Sequence, residues 1–275
     1  MTASWRPVWA MPFPRDPTRP VHSAFPAADI TPEWAWGDST GRGVKVAVLD
    51  SGIDARHPAV GGSVQGHVSI TLGPDGIVTS DETHTDVHGH GTAVAGIIRS
   101  LAPECELYSV QVLGPKLGGR GVVFAAGLRW AIDHGMDICN LSLGTTKRDH
   151  FAALHEAADT AYFKNIALVA AVNNLPLPSF PAVYGSVISV AATEGQDPYV
   201  FYYNPRPPAE FGTVGIDVRV ASLDGEWTTG SGNSYASPHI AGLVAKILGK
   251  HPGLTVYELK TILRALAANV VRATG

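Results

Sequence analysis

Short apolar runs alternate with helical patterns along most of the chain, and that alternation limits the folds open to it. Residues 44–49 (VKVAVL), 106–113 (ELYSVQVL), 137–143 (DICNLSL), 166–172 (IALVAAV) and 186–193 (SVISVAAT) read as buried strands. Residues 90–100, 121–135, 149–164, 234–249 and 256–270 read as helices. Phe151, Leu154, Ala158 and Tyr162 give 149–164 its spacing, Gly135 closes the helix before it, and Thr255 with Glu258 forms a capping box for the last one. Strands and helices in this order predict an α/β fold of three layers, with a mainly parallel central sheet and helices on both faces.

The chain has 275 residues, enough for one such domain, and no internal repeat or boundary divides residues 25–275. Hydrophobic residues make up 45% and charged residues 16%, which excludes a disordered chain. A net charge of −4 gives no reason to expect nucleic-acid binding. No apolar run reaches the roughly 18 residues of a membrane span. Cys105 and Cys139 do not make a disulfide framework in a chain this long, and Cys139 sits in an apolar run, so both read as reduced and inert. The first twenty residues, MTASWRPVWAMPFPRDPTRP, lack the apolar stretch of a signal peptide, and the chain as given reads as cytoplasmic. Residues 1–24 read as an extended arm. Pro7, Pro12, Pro14, Pro17 and Pro20 deny it a helix, and Trp5, Trp9 and Phe13, with Trp34 following, suggest that it packs on the body.

In a parallel sheet, functional groups gather at the carboxyl ends of the strands. Asp50 ends the first strand, Asn173 follows another, and His90 and Ser234 open helices. Four polar groups thus converge on one edge. A serine hydroxyl alone is too weak to attack an amide; it needs a base to take its proton and an acid to orient that base. Asp…His…Ser is one of the chain orders in which this set occurs. Each residue also has a plain local reading. Asp50 suits a turn, and Ser234 suits a helix cap. His84, His88 and His90 have the spacing of a metal site, but Gly-Thr-Ala-Val follows His90 with no carboxylate, which argues against metal. His84 and His88 then read as parts of a solvated loop. Gly91, Ala93 and Ala95 imply a helix start packed tightly on another element.

Three stretches resemble the subtilisin-like serine proteases, the subtilase family: VAVLDSGID at 46–54, HGHGTAVAGI at 88–97 and SGNSYASPHIAG at 231–242. ICNLSLG at 138–144 is similar to the family's substrate-lining segment, and AAVNN at 170–174 to the segment that carries its oxyanion-hole asparagine. The resemblance runs from about residue 30 to about residue 266. It implies Ser234 as nucleophile, His90 as general base, Asp50 as its orienting acid and Asn173 as oxyanion donor. It places Leu117, Gly118, Gly119, Ser142, Leu143 and Gly144 along a cleft where a peptide or protein substrate binds as an added strand. Ala170, Ala171, Val172, Ser179 and Asn233 fall around the specificity pocket. No cofactor and no metal ligand is implied.

Four departures from the family stand out. No room is seen for a folded inhibitory prodomain, which leaves the arm, residues 1–24, as the candidate for autoinhibition. The short link from Leu101 to Glu106 leaves no space for the calcium loop many members carry there. Val172 stands where glycine is usual, which predicts a narrowed pocket or a displaced wall, and with it either small side chains before the scissile bond or an unusual pocket altogether. Asn233 and Tyr235 flank the nucleophile in place of the usual threonine and methionine, with Asn233 a candidate auxiliary oxyanion donor. The segment 199–208 (YVFYYNPRPP) reads as a packed surface loop, or as a surface for a peptide partner. Two functions compete: an active endopeptidase processing a narrow set of peptides, and a pseudoprotease or peptide-binding module that uses the cleft without turnover.

Overall fold

The computed structural model describes residues 30–206 and 208–270. The arm, residues 1–24, lies outside the described residues. The first helix, α1 (Pro32–Ala35), is capped by Thr31 and followed by Trp36. Trp34 stacks on His251 with centroids 4.3 Å apart, so this aromatic does pack on the body.

Nine strands form one sheet: β1 (Lys45–Asp50), β2 (Gly66–Gly73), β3 (Gly76–Ser80), β4 (Glu106–Gln111), β5 (Ile138–Leu141), β6 (Ala167–Ala171), β7 (Ile188–Thr193), β8 (Phe201–Tyr203) and β9 (Phe211–Val214). Their order across the sheet is β3-β2-β4-β1-β5-β6-β7-β9-β8. Only the edge strands β3 and β8 run antiparallel to their neighbours. The helices are α2 (His90–Leu101), α3 (Gly121–Asp133), α4 (Phe151–Phe163), α5 (Asn233–Lys250) and α6 (Val256–Leu266). A separate ribbon pairs β10 (Val218–Ala221) with β11 (Trp227–Gly230). Residues 102–105 join α2 to β4.

Side-chain alternation along each strand explains the layers. In β1, Val46 and Val48 face a core shared with α2, α5 and α6, while Ala47 and Leu49 face a second core shared with α3 and α4. β6 repeats this with Ala167 and Val169 on one side and Leu168 and Ala170 on the other. Both faces are therefore covered, as the continuous apolar runs require. Burial lifts the Cys105 thiol to about 11 and raises Cys139 further, and both cysteines are free.

The segment 199–208 departs from the loop reading. Phe201 is fully buried and β8 pairs with β9, so this stretch supplies the sheet's edge strand. The hairpin β2–β3, the strand β9 and the ribbon β10–β11 have no counterpart in the sequence reading.

Candidate active site

β1 lies between β4 and β5, and the chain visits those two neighbours on opposite sides in succession. That reversal opens a crevice beyond the carboxyl end of β1, the place where parallel sheets bind ligands. Asp50, fully buried, is the last residue of β1. α2 starts directly above it. A methyl group added at Gly91 would come within 2.0 Å of the Gly52 carbonyl oxygen and 3.1 Å of Asp50 Cβ. Only a bare backbone lets the helix come this close, as the run of small residues implies.

That approach brings His90 Nδ1 to 2.8 Å from Asp50 Oδ1 and 2.9 Å from Oδ2. On the other side of the ring, Nε2 lies 3.0 Å from Ser234 Oγ. Burial opposes charge on His90, but the Asp50 carboxylate, by its charge and hydrogen bond, and the charge of Asp86 outweigh it and hold the imidazole above its ordinary range. Asp50 also accepts from the Ser51 backbone N–H at 2.8 Å. Tyr235 packs beside the imidazole, with centroids 5.5 Å apart.

Asp86 is a member of this site that sequence reasoning missed. It is buried, and Oδ1 accepts from Ser51 Oγ at 2.8 Å, His88 N at 2.9 Å and Gly89 N at 2.8 Å. Oδ2 accepts from Thr92 N and Thr92 Oγ1, both at 2.7 Å. Desolvation disfavours its charge, yet the donors from Thr92, His88 and Gly89 overcome this and hold its carboxyl below the usual range. Asp86 thus satisfies the N–H of Thr92, the third residue of α2 and part of its first turn, from outside the helix, where the Gly89 cap has no side chain to do so. The available signal was an aspartate four residues before His90, a preferred capping residue. His84 departs from the solvated-loop reading: it is half-buried, bonded to Ser109 Oγ at 2.8 Å and packed edge-on against His67. His88 is exposed, as expected.

Ser234 is the second residue of α5, so its N–H belongs to the first turn, whose donors have no intrahelical partner. Its own carbonyl accepts from Ser142 Oγ at 2.9 Å, and Ser142 in turn accepts from Asn140 Nδ2 at 2.9 Å. Ser142 therefore anchors the nucleophile-bearing turn with its side chain.

A cavity of about 170 Å³ opens beside Ser234, lined by Ser142, Leu143, Gly144, Ala171, Val172, Asn173, Asn174 and Ser179. The Asn173 Oδ1 accepts from Leu175 N at 2.9 Å, and no described residue takes a bond from its NH2 group. Leu117, Gly118 and Gly119 line the adjoining grooves. Two expectations are corrected. Ala170 is fully buried in the core shared with α3 and α4 and does not reach the cavity, which Ala171 and Val172 line beyond it. Asn233 is no auxiliary oxyanion donor: its Nδ2 donates to the carbonyls of Val172 at 3.1 Å and Asn173 at 3.0 Å, and its Oδ1 accepts from Ala192 N at 2.8 Å. Both amide hydrogens are spent on the backbone, so Asn233 clamps the nucleophile turn to the ends of β6 and β7.

An acid, an imidazole and a hydroxyl in hydrogen-bonded series at the carboxyl edge of a parallel sheet define the class. A model of the subtilase family matches residues 41–274. The chain is 34% identical over 238 residues to minor extracellular protease Epr of Bacillus subtilis (strain 168), covering 82% of this chain and 35% of Epr. It is 32% identical over 245 residues to subtilisin DY of Bacillus licheniformis, covering 84% of this chain and 85% of that protein. The solved structure of a cold adapted subtilisin-like serine proteinase matches with a TM-score of 0.68 and 25% identity, over 82% of this chain and 83% of its own. The chain belongs to the subtilase family, and with it to the subtilisin-like serine endopeptidases.

Proposed function

We propose that this chain cleaves peptide bonds by acyl transfer through Ser234, and that it acts on a narrow class of peptides. The observation that carries the first part is the ring of His90, 2.8 Å from Asp50 on one nitrogen and 3.0 Å from Ser234 on the other. Ser234 Oγ attacks the scissile carbonyl as its proton passes to His90 Nε2. Asp50 holds the Nδ1–H tautomer and stabilises the imidazolium. The free NH2 of Asn173 and the Ser234 N–H receive the negative charge that develops on the carbonyl oxygen. His90 then protonates the leaving amine, and water repeats the sequence on the acyl-enzyme.

Narrow specificity is supported by the cavity beside Ser234. Its volume of about 170 Å³ is small against the ~300–1,000 Å³ of sites that take drug-sized ligands, and Val172 forms part of its wall. Small side chains suit it before the scissile bond, which favours maturation of particular peptides over bulk turnover. The substrate strand lies between 117–119 and 142–144. A fluorophosphonate probe tests the chemistry: covalent label on Ser234, abolished in His90→Ala, is expected. Folded wild-type protein that takes no label would refute it. A peptide library with Phe or Tyr preferred directly before the cleaved bond would refute the small-residue reading.

A further inference from the structure

A second cavity, of about 600 Å³, shares Leu143 and Gly144 with the one beside Ser234 but reaches away from it, between the start of α3 and the segment that follows β5. Leu117, Phe124 and Leu143 contribute apolar surface, and Arg120, Lys147 and His150 contribute nitrogen. No carboxylate lines it. Arg120 and Lys147 form no ion pair with any described residue, unlike Arg42, Arg56, Arg129, Lys164 and Lys260. His150 is seated by the absence of a side chain opposite it: a methyl group at Gly121 would fall 2.1 Å from its Cδ2. The pocket is thus an apolar hollow rimmed by basic groups that no described carboxylate pairs with.

We infer that this cavity receives an acidic side chain of the substrate, a few residues before the scissile bond. The inference rests on the serine endopeptidase reading above and deepens it. The direction follows from the chemistry. Asn173 faces the carbonyl of the residue that becomes the acyl group, so that residue's side chain enters the smaller cavity, which Asn173 lines. The leaving amine faces His90, which lines neither cavity. A strand laid along 142–144 away from His90 therefore carries residues that precede the bond. At roughly 3.3 Å per residue it reaches the second cavity within a few positions. A carboxylate arriving there meets two cations with no competing partner among the described residues, while its methylenes cover Leu117, Phe124 and Leu143. Arg120 and Lys147 are exposed, so the attraction is screened and modest.

Matched fluorogenic peptides carrying Glu or Gln at each position before the cleaved bond test this. At one position kcat/KM should favour Glu by about fivefold, and the ratio should shrink as salt is raised. In the Arg120→Gln/Lys147→Gln double variant the Glu/Gln ratio should fall to about one; a ratio within one variant is independent of any general loss of activity. Arg120→Glu/Lys147→Glu reverses the charge of the rim and should turn the preference toward Lys over Gln. Equal rates on Glu and Gln at every position, with peptides turned over normally, would overturn the inference and leave the protease intact. No turnover of any peptide together with no label on Ser234 would overturn both.

Discussion

At the residue scale the site is governed by what surrounds one imidazole. His90 acts as a base only when neutral. Burial alone would lower its proton affinity, and the Asp50 carboxylate overrides burial and raises it. The rate should therefore climb with pH through a midpoint above the ordinary imidazole value of about 6.5. In Asp50→Asn the leading stabiliser of the imidazolium is gone, burial prevails, and the midpoint should move below that value while kcat falls by roughly 10⁴-fold. A pH–rate profile of kcat/KM reads both; an unmoved midpoint in the variant would contradict the assignment. Asp50, His90 and Ser234 were legible in the sequence because each sits in a local motif whose geometry is set by a strand end or a helix start. Asn233 was not. Whether an asparagine beside the nucleophile points at substrate or at backbone is decided by the carbonyls of Val172 and Asn173, sixty-odd residues away in the chain. No local pattern carries that information.

At the scale of elements, the start of α2 shows how packing sets the catalytic distances. Gly91 lets the helix rest on β1, and Asp86 ties the loop before it to the first turn. An Asp86→Asn change offers one acceptor and one NH2 group where the native carboxylate offers two acceptors to five donor contacts. At least one buried donor is left unpaired, a cost of about 1–3 kcal/mol. The native carboxyl is held below its unfolded value, so its contribution is fully present above about pH 4 and is lost as pH falls through the folded value. Denaturant unfolding of both proteins across pH should show the wild type ahead at neutral pH and the gap closing in acid. A gap independent of pH would contradict the role given to the charge. The helices and inner strands were readable because long runs with one period declare themselves. β2–β3 and β10–β11 were not: β3 and β11 are mostly exposed and alternate weakly. β8 was hidden because Phe201 is buried by its partners in a segment whose prolines suggest a loop.

For the whole molecule, what matters is that the three reacting groups stand on elements of a single core. β1 carries Asp50, α2 carries His90 and α5 carries Ser234, and Val48, Ile98 and Leu243 from these three belong to the same buried cluster. α5 touches α2, β5, β6, β7 and β9, and it is buried without a break from Ala236 to Leu248. The nucleophile therefore has no flexible mount that could loosen ahead of the fold. Loss of activity on heating should coincide with loss of the core. Leu243→Ala removes a fully buried side chain at the centre of that contact and should cost about 2–5 kcal/mol. The variant is expected to hold kcat on a small peptide at low temperature, where the fold persists. Its thermal inactivation and its near-ultraviolet circular dichroism transition should move down together. If activity in either protein is lost well below the temperature at which the aromatic signal changes, the site has a local unfolding route of its own. Such a route would run through the loop from Asp81 to Gly89 that leads into His90, which Asp86 ties to the first turn of α2.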